Sequence, residues 1–348
     1  MKDMAQILTE EIEKGKSPSL QYFFFNQDTI LNSFRMGFAN ISHQKRADVN
    51  TTYNAFSVTK TFTALAILQL AQQGKIDINK SAIKYLPDFP YGTEITVKQL
   101  LNHTSGIPNP IPLSWIHLHS EHRTFNQNTF FKSIFERNSK LKSKPGEKFA
   151  YSNLGYILLG ELIEKVSGTQ YEEYIIKNII QKLPLRPDDL TFSMINQQKH
   201  ATGYQKRLSL SNFILGFFID KTKFMGATEK KWRSFRNFHV NGTAYGGLIG
   251  KPEAFVKYLQ ELLKEDSNLI NSEYKQLLFQ EDKNSGMCLS WFTGKLNGVD
   301  YFTHAGGGGG YYCEIRIYPD IKKGSIIFFN RTGISDERYL DKVDANLL

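Results

Sequence analysis

The sequence predicts a mixed α/β (α+β) fold in which one antiparallel sheet, flanked by helices, is built from both chain ends and an all-α lobe is inserted between them. Runs of apolar, aromatic and β-branched residues with strand-like lengths occur near both ends of the 348 residues. The middle of the chain has apolar residues at helical spacing instead. We therefore assign residues 1–60 and 241–348 to the sheet region and residues 61–240 to the helical lobe.

The first hundred residues contain both strand-like runs and apolar residues at helical spacing. Thr96 is placed to cap a helix over 95–101, and the loop 102–108 after it contains side chains that bond their own backbone, a glycine and a proline. That loop is therefore expected to be a rigid turn, with His103 tying it down rather than acting in catalysis. The other predicted elements are a helix over 3–15, strands over 20–25 and 29–37, a loop over 40–52, and a largely apolar helix that follows Ser57 and stops at Gly74.

In the rest of the chain, four predicted helices precede the predicted strands and one follows them. Gly168 is placed to end a long helix, and the strand-like runs lie beyond residue 285. The predicted elements are helices over 125–138, 155–166, 171–182, 252–264 and 334–347, and strands over 287–293, 299–303, 311–318 and 325–330.

Residues 205–240 differ in composition and are called here the aromatic-basic segment. Three interpretations are open: a loop or helical excursion packed on the body, a lid over a cleft, or a patch that contacts a membrane surface. We favour the first two. The residues that alternate are Phe213, Phe217, Phe218, Phe224, Trp232, Phe235 and Phe238 with Lys206, Arg207, Lys221, Lys223, Lys230, Lys231, Arg233 and Arg236.

Composition excludes several classes of function. A charged fraction of 22% and an apolar fraction of 41% are ordinary for a folded protein, and the net charge of +9 favours anionic substrates, polymers or membrane surfaces. The basic residues are spread out and no nucleic-acid module is present, so no nucleic-acid partner is expected. The two cysteines, Cys288 and Cys313, form no disulfide framework, and no metal-ligand spacing or phosphate-binding loop occurs, so no metal or cofactor is expected.

The first residues lack the apolar core of a signal peptide, and no stretch is long enough to span a bilayer. A cytoplasmic location is therefore expected, or a periplasmic or extracellular one if a targeting segment precedes this sequence.

The first chemical motif is Ser57-x-x-Lys60. Ser57 lies at a predicted helix start, where unpaired backbone N–H groups favour developing negative charge, and Lys60 lies one turn later on the same face. This spacing is typical of serine acyl-transfer enzymes. The alternative is a helix cap beside a solvated lysine. The spacing alone does not decide, because it recurs at Ser42/Lys45, Ser81/Lys84, Ser139/Lys142 and Ser272/Lys275.

Two further motifs follow in the chain: Tyr151-Ser152-Asn153 in a turn, and His304-Ala305-Gly306 at the start of five consecutive glycines. In this order the three motifs resemble those of the serine β-lactamase and penicillin-binding-protein superfamily. The similar branch comprises class C β-lactamases, D-alanyl-D-alanine carboxypeptidases, D-aminopeptidases and related esterases. The segments 100–106, 145–156 and 245–248 also resemble blocks of this branch, so that the resemblance extends over residues 18–332.

The resemblance implies a β-lactamase/transpeptidase-like fold and a serine hydrolase that forms an acyl-enzyme on Ser57. Either Lys60 or Tyr151 would accept the serine proton. Asn153 would bond the substrate amide or Lys60, and the N–H groups of Ser57 and Gly307 would bind the oxyanion. Glycines at 306 and 307 suit this role, because a backbone without side chains approaches a substrate closely.

One departure bears on the substrate. His304 stands where efficient β-lactamases of this branch have lysine, and this resembles the carboxypeptidase, aminopeptidase and esterase members. The expected substrate is a D-amino-acid peptide, an amide or an ester, with His304 facing its distal end and holding a carboxylate only while protonated. The alternatives are a class C-like β-lactamase and a non-catalytic penicillin-binding sensor.

Overall fold

An antiparallel sheet of seven strands joins the two ends of the sequence, in the order β12-β13-β14-β15-β1-β2-β3. The computed structural model describes residues 2–332 and 338–348. The strands are β1 (Ser19–Asn26), β2 (Ile30–Asn40), β3 (Lys45–Arg46), β4 (Tyr53–Asn54), β5 (Ile116–Leu118), β6 (Leu190–Thr191), β7 (Tyr204–Lys206), β8 (Met225–Glu229), β9 (Trp232–Phe235), β10 (Phe238–Val240), β11 (Ile249–Gly250), β12 (Phe292–Leu296), β13 (Val299–Gly308), β14 (Tyr311–Tyr318) and β15 (Lys323–Phe329).

The helices pack on both faces of this sheet and fill the middle of the sequence. They are α1 (Met4–Glu13), α2 (Thr59–Gln72), α3 (Val97–Leu101), α4 (Gln127–Arg137), α5 (Asn153–Ser167), α6 (Tyr171–Asn178), α7 (Leu210–Leu215), α8 (Lys221–Phe224), α9 (Thr243–Gly246), α10 (Pro252–Leu263), α11 (Ser272–Leu278) and α12 (Tyr339–Asp344).

Strand β1 is buried along nearly its whole length because helices cover both faces of the sheet. Tyr22 and Phe24 face α1 and α12, whereas Phe23 and Phe25 belong to the larger core that contains α2 and α10. A strand covered on both faces needs apolar residues at consecutive positions, which explains the continuous run from Tyr22 to Phe25. The mixed fold with an antiparallel sheet is therefore confirmed.

Helix α2 is the centre of the helical part, and every residue from Thr59 to Ala71 is buried. It packs against α5, α6, α9 and α11. The predicted cap at Thr96 is present at the start of α3, where the side chain of Gln99 completes a capping box.

Three small sheets were not predicted: β4-β11-β6, β5-β10 and β7-β9-β8. Six of their strands lie within residues 61–240, so the inserted part is not purely helical. Pairings of two to five residues are too short to show a periodic pattern. The predicted strand over 287–293 begins only at Phe292, and the predicted helix over 334–347 is helical over Tyr339–Asp344, while residues 333–337 lie outside the described residues. The division into sheet region and lobe stays a prediction.

Candidate active site

Ser57 lies in a single turn of 3-10 helix, Phe56–Val58, and α2 begins two residues later at Thr59. The backbone of Phe56 has φ +44°, an uncommon value for a residue with a side chain. The ring of Phe56 packs on those of Phe238 and Tyr311, with centroids 6.3 Å apart in each case. These contacts hold the sharp turn that places Ser57 at the end of the buried helix.

Lys60 is completely buried, and its Nζ lies 3.1 Å from Ser57 Oγ and 2.8 Å from the carbonyl oxygen of Tyr245. The rings of three tyrosines surround the amine, with centroids 5.0 to 5.4 Å from Nζ; they are Tyr151, Tyr156 and Tyr245. Burial lowers the pKa of Lys60 well below its usual value of 10.5, because the ammonium loses its hydration. The arrangement therefore favours the neutral amine, which can accept a proton from Ser57.

Tyr151 is positioned by the loop that contains His103. The two rings lie 4.2 Å apart, and Nδ1 of the buried His103 accepts a hydrogen bond of 3.1 Å from the backbone N–H of Ser152. Burial lowers the pKa of His103 well below its usual value of 6.5, so the ring is neutral. Since Nδ1 accepts, the proton is on Nε2. His103 thus ties the two loops together, as its sequence context indicated.

Asn153 begins α5, and Ser152 caps that helix through its hydroxyl. The Asn153 Nδ2 donates to Asn109 Oδ1 at 3.1 Å, and Asn153 Oδ1 is buried without a hydrogen-bond partner among the described residues. Asn153 thus keeps an unused acceptor oxygen, and the residue lines the same cavity as Ser57. Asn109 was missed by the sequence analysis, since no motif connects it with Asn153 44 residues later.

Strand β13 passes very close to the Ser57 turn. A Cβ at Gly306 would collide with the carbonyl oxygen of Ala55 and lie 3.0 Å from the backbone nitrogen of Ser57, so only glycine fits. A Cβ at Gly307 would meet only ordinary contacts at 3.6 Å or more. Gly306 therefore allows the strand to approach, and the following residue, Gly307, lines the same cavity as Ser57.

His304 is buried, and its Nδ1 lies 2.5 Å from the carbonyl oxygen of Ser290. Because a carbonyl only accepts, Nδ1 carries the proton and Nε2 is an acceptor. Burial and the neighbouring Lys60 lower the pKa of His304 to about 3, against a smaller opposite effect of the Ser290 carbonyl. The imidazole is therefore neutral at physiological pH, which the reference pKa used in the sequence analysis did not indicate.

Two adjoining cavities bring the predicted residues together. Ser57, Asn153 and Gly307 line a cavity of about 160 Å³. Tyr151, His304, Gly306 and Gly307 line a second one of about 520 Å³, which also contains Arg338. Gly307 lines both, and Lys60 lies buried behind Ser57. The side chain of Arg338 is exposed and supplies positive charge to the larger cavity.

Within residues 2–332 and 338–348 no group of His, Cys, Asp and Glu side chains is arranged to hold a metal ion. None of the helices in this part of the chain is long and apolar enough to cross a membrane.

The sequence model of the family described as Beta-lactamase matches residues 4–348. Protein flp of Staphylococcus aureus (strain MW2) is 33% identical over 208 residues, which are 57% of this chain and 40% of that protein. The match thus spans less than half the length of this relative.

Two solved structures share the fold. The D-amino acid amidase of Ochrobactrum anthropi SV3, complexed with L-phenylalanine amide, has a TM-score of 0.78 at 17% identity; the alignment covers 94% of this chain and 90% of the amidase. The octameric penicillin-binding protein homologue of Pyrococcus abyssi has a TM-score of 0.76 at 24% identity, and its alignment covers 94% of this chain and 73% of that one.

Proposed function

The chain belongs to the β-lactamase family, and from that membership we propose that it is a serine hydrolase that forms an acyl-enzyme on Ser57 with a D-amino-acid peptide, an amide or an ester. The observation that carries the proposal is the buried amine of Lys60, 3.1 Å from Ser57 Oγ. A serine hydroxyl is a weak nucleophile until a neighbouring base accepts its proton. A neutral, desolvated amine at hydrogen-bond distance is such a base.

In the proposed reaction, Lys60 takes the proton of Ser57 Oγ as the oxygen bonds to the substrate carbonyl carbon. The negative charge on the former carbonyl oxygen is stabilised by the backbone N–H groups of Ser57 and Gly307. The bond to the leaving amine or alkoxide then breaks, and the protonated Lys60, or Tyr151 beside it, returns a proton to the leaving group. A water molecule activated in the same way releases the acyl group and restores Ser57.

Polar groups of both cavities support the proposed substrate class. Asn153 Oδ1 suits an amide N–H, and the neutral His304 offers an acceptor at Nε2 rather than a positive charge. A substrate carboxylate would therefore be held by the guanidinium of Arg338. A substrate with a free amine or an uncharged end would be held by His304 and Asn153.

The experiment that tests this function is labelling with a fluorescent fluorophosphonate and a fluorescent penicillin. Ser57→Ala should lose both labels, whereas Ser42→Ala, which removes the exposed serine of another Ser-x-x-Lys spacing, should keep them. Equal labelling of Ser57→Ala and the unaltered protein would reject Ser57 as the nucleophile. Turnover of a D-amino acid amide, a D-alanyl dipeptide, an aryl ester and a chromogenic cephalosporin then separates amidase, peptidase, esterase and β-lactamase activity.

A further inference from the structure

Five large apolar side chains of the aromatic-basic segment are exposed within ten residues, and we propose that they bind the surface of an anionic lipid membrane. Their exposed fractions run from 41% to 87%, and they account for five of the eleven exposed large apolar side chains found in the described residues. Single exposed apolar residues are normal, but a contiguous group marks an interaction site. The residues are Leu208, Leu210, Phe213, Ile214 and Phe217, called here the apolar patch.

The apolar patch is held in a defined shape. The rings of Phe213 and Phe217 contact each other at 5.3 Å between centroids. The Asn212 side chain donates to the carbonyl of Arg207 at 2.7 Å, and Lys221 Nζ donates to the carbonyl of Asn212. Polar contacts thus fix the backbone of the patch while its apolar side chains face solvent. Other aromatic residues of the segment, such as Phe224 and Phe235, are buried, so the exposure is confined to this stretch.

Positive charge lies next to the apolar patch. The segment from 205 to 240 contains eight basic and only two acidic residues. The backbone N–H of Arg207 donates to the carbonyl of Lys231 at 2.9 Å, and Lys206 pairs with Trp232 in the β7–β9 ladder. The exposed side chains of Lys206, Arg207, Lys230 and Lys231 therefore lie at one end of the β7-β9-β8 sheet, the end from which the chain continues to Leu208.

The acidic groups nearby do not cancel this charge. Asp220 accepts from the backbone N–H groups of Thr222 and Lys223 at the start of α8, and Glu229 accepts from the Tyr204 hydroxyl. Glu121 pairs with Lys223 at 2.6 Å and neutralises only that lysine. Glu11 also acts on Lys206, but it pairs with Arg331 at 3.1 Å. The pKa of Lys206 is lowered, first by burial and then by the positive charges of Arg331 and Lys231.

A bilayer with anionic lipids is the partner that uses both properties. Exposed phenylalanine and leucine side chains enter the boundary between headgroups and acyl chains, and lysine and arginine side chains contact the phosphate groups. Binding of a soluble polyanion would not require the exposed rings of Phe213 and Phe217. An apolar protein partner would not require the adjacent basic residues Lys206, Arg207, Lys230 and Lys231.

The membrane contact would lie next to the candidate active site. Leu215, on α7 with the patch, is buried and lines the cavity that contains Ser57. One short helix therefore contributes to the cavity wall with one side chain and to the exposed patch with others. The inference does not depend on the proposed catalytic function, because binding requires no reaction at Ser57.

Co-sedimentation of the protein with lipid vesicles tests the inference. The protein should sediment with vesicles that contain phosphatidylglycerol, bind much less to vesicles of phosphatidylcholine alone, and be largely released by added salt. Ser57→Ala should bind as the unaltered protein does. Failure of the unaltered protein to bind phosphatidylglycerol vesicles would overturn the proposal.

Two matched pairs of variants assign the contacts. Phe213→Ser with Phe217→Ser should weaken binding about tenfold or more, while Leu31→Ser with Val49→Ser, which changes exposed apolar residues elsewhere, should leave it unchanged. Lys230→Gln with Lys231→Gln should also weaken binding, whereas Lys75→Gln with Lys80→Gln should not. All eight side chains are exposed, so folding is preserved. If binding depended on the lysines but not on the phenylalanines, and soluble polyphosphate bound as well, the partner would be a polyanion and the membrane proposal would be wrong.

Discussion

Lys60 Nζ lies 3.1 Å from Ser57 Oγ, and no part of the Lys60 side chain reaches solvent. We expect Lys60→Met to slow acylation of Ser57 by about a thousandfold, because general-base catalysis contributes about 10²- to 10⁴-fold. In the unaltered protein the acylation rate should fall as the pH falls through the lowered pKa of Lys60. Stopped-flow labelling with a fluorescent penicillin across a pH series measures both. Tyr151→Phe, which leaves Lys60 in place, should lose less activity, and the reverse order would make Tyr151 the base.

The burial of Lys60 should also be visible in the stability of the protein. In the unfolded chain Lys60 binds a proton below about pH 10.5, whereas the folded state releases it at a lower pH. The unfolded state therefore holds more protons between these two pKa values, and the free energy of unfolding rises with pH there, by up to about 1.4 kcal/mol per pH unit. Lys60→Met should remove this slope.

Urea unfolding of the unaltered protein and of Lys60→Met, between about pH 7 and about pH 9, measures the two free energies of unfolding. Lys60→Met should be the more stable of the two at the low end of the range, since it avoids desolvating an amine, and the difference should shrink as the pH rises. Parallel pH dependences in the two proteins would show that Lys60 keeps its proton when folded.

Alanine substitutions at two neighbouring glycines of β13 should distinguish the packing of this strand against the Ser57 turn from the binding of the oxyanion. Gly306→Ala should abolish acylation, because the new Cβ would collide with the Ala55 carbonyl and push the strand away from Ser57. Gly307→Ala adds a Cβ with room around it and keeps the backbone N–H, so it should retain activity to within about tenfold. Labelling of both variants, with circular dichroism to check folding, makes the comparison. Equal activity of the two variants would contradict the packing of β13 against the Ser57 turn.

The charge that recognises a carboxylate should come from Arg338 and not from His304. Because the pKa of His304 is about 3, its imidazole does not titrate between about pH 5 and about pH 9, and KM for a carboxylate peptide should show no His304-dependent change there. Arg338→Gln should raise KM for the carboxylate peptide about tenfold and leave KM for the matching peptide amide unchanged. A KM that worsens with pH near neutrality and is restored by His304→Lys would return the anchor to His304.

The sequence motifs selected residues that line two adjoining cavities, but they did not indicate the surroundings of those residues. Ser57, Asn153 and His304 are far apart in sequence, and they were found because their local motifs resemble those of a known superfamily. The neutral state of His304 depends on burial by tertiary contacts and on the carbonyl of Ser290, neither of which has a local signal. The contact of Asn109 with Asn153 was missed for the same reason.

The fold, like the site, could be predicted where the local sequence determines the structure, but not where tertiary contacts determine it. The long strands and helices follow from periodicity, and the buried helix after Ser57 was predicted from its all-round apolar character. The aromatic-basic segment could not be assigned, because Phe217 and Phe224 stand in similar local sequence although one is exposed and the other buried. Only the contacts of the folded chain distinguish them.

The pairing of β1 with β15 has a consequence for the order in which activity arises. The backbone N–H of Ser19 donates to the side chain of Asn330 across 311 residues, so the central sheet closes only after the residues up to Asn330 have been synthesised. Closing such a long loop is slow compared with forming the local contacts of α2. Ser57 and Lys60 belong to one short segment and can meet early, whereas Gly306 and Gly307 arrive with the last strands. A partly folded chain would hold Ser57 and Lys60 together without the glycines of β13. Under the proposed function, the first covalent label on Ser57 would therefore mark the completion of the sheet.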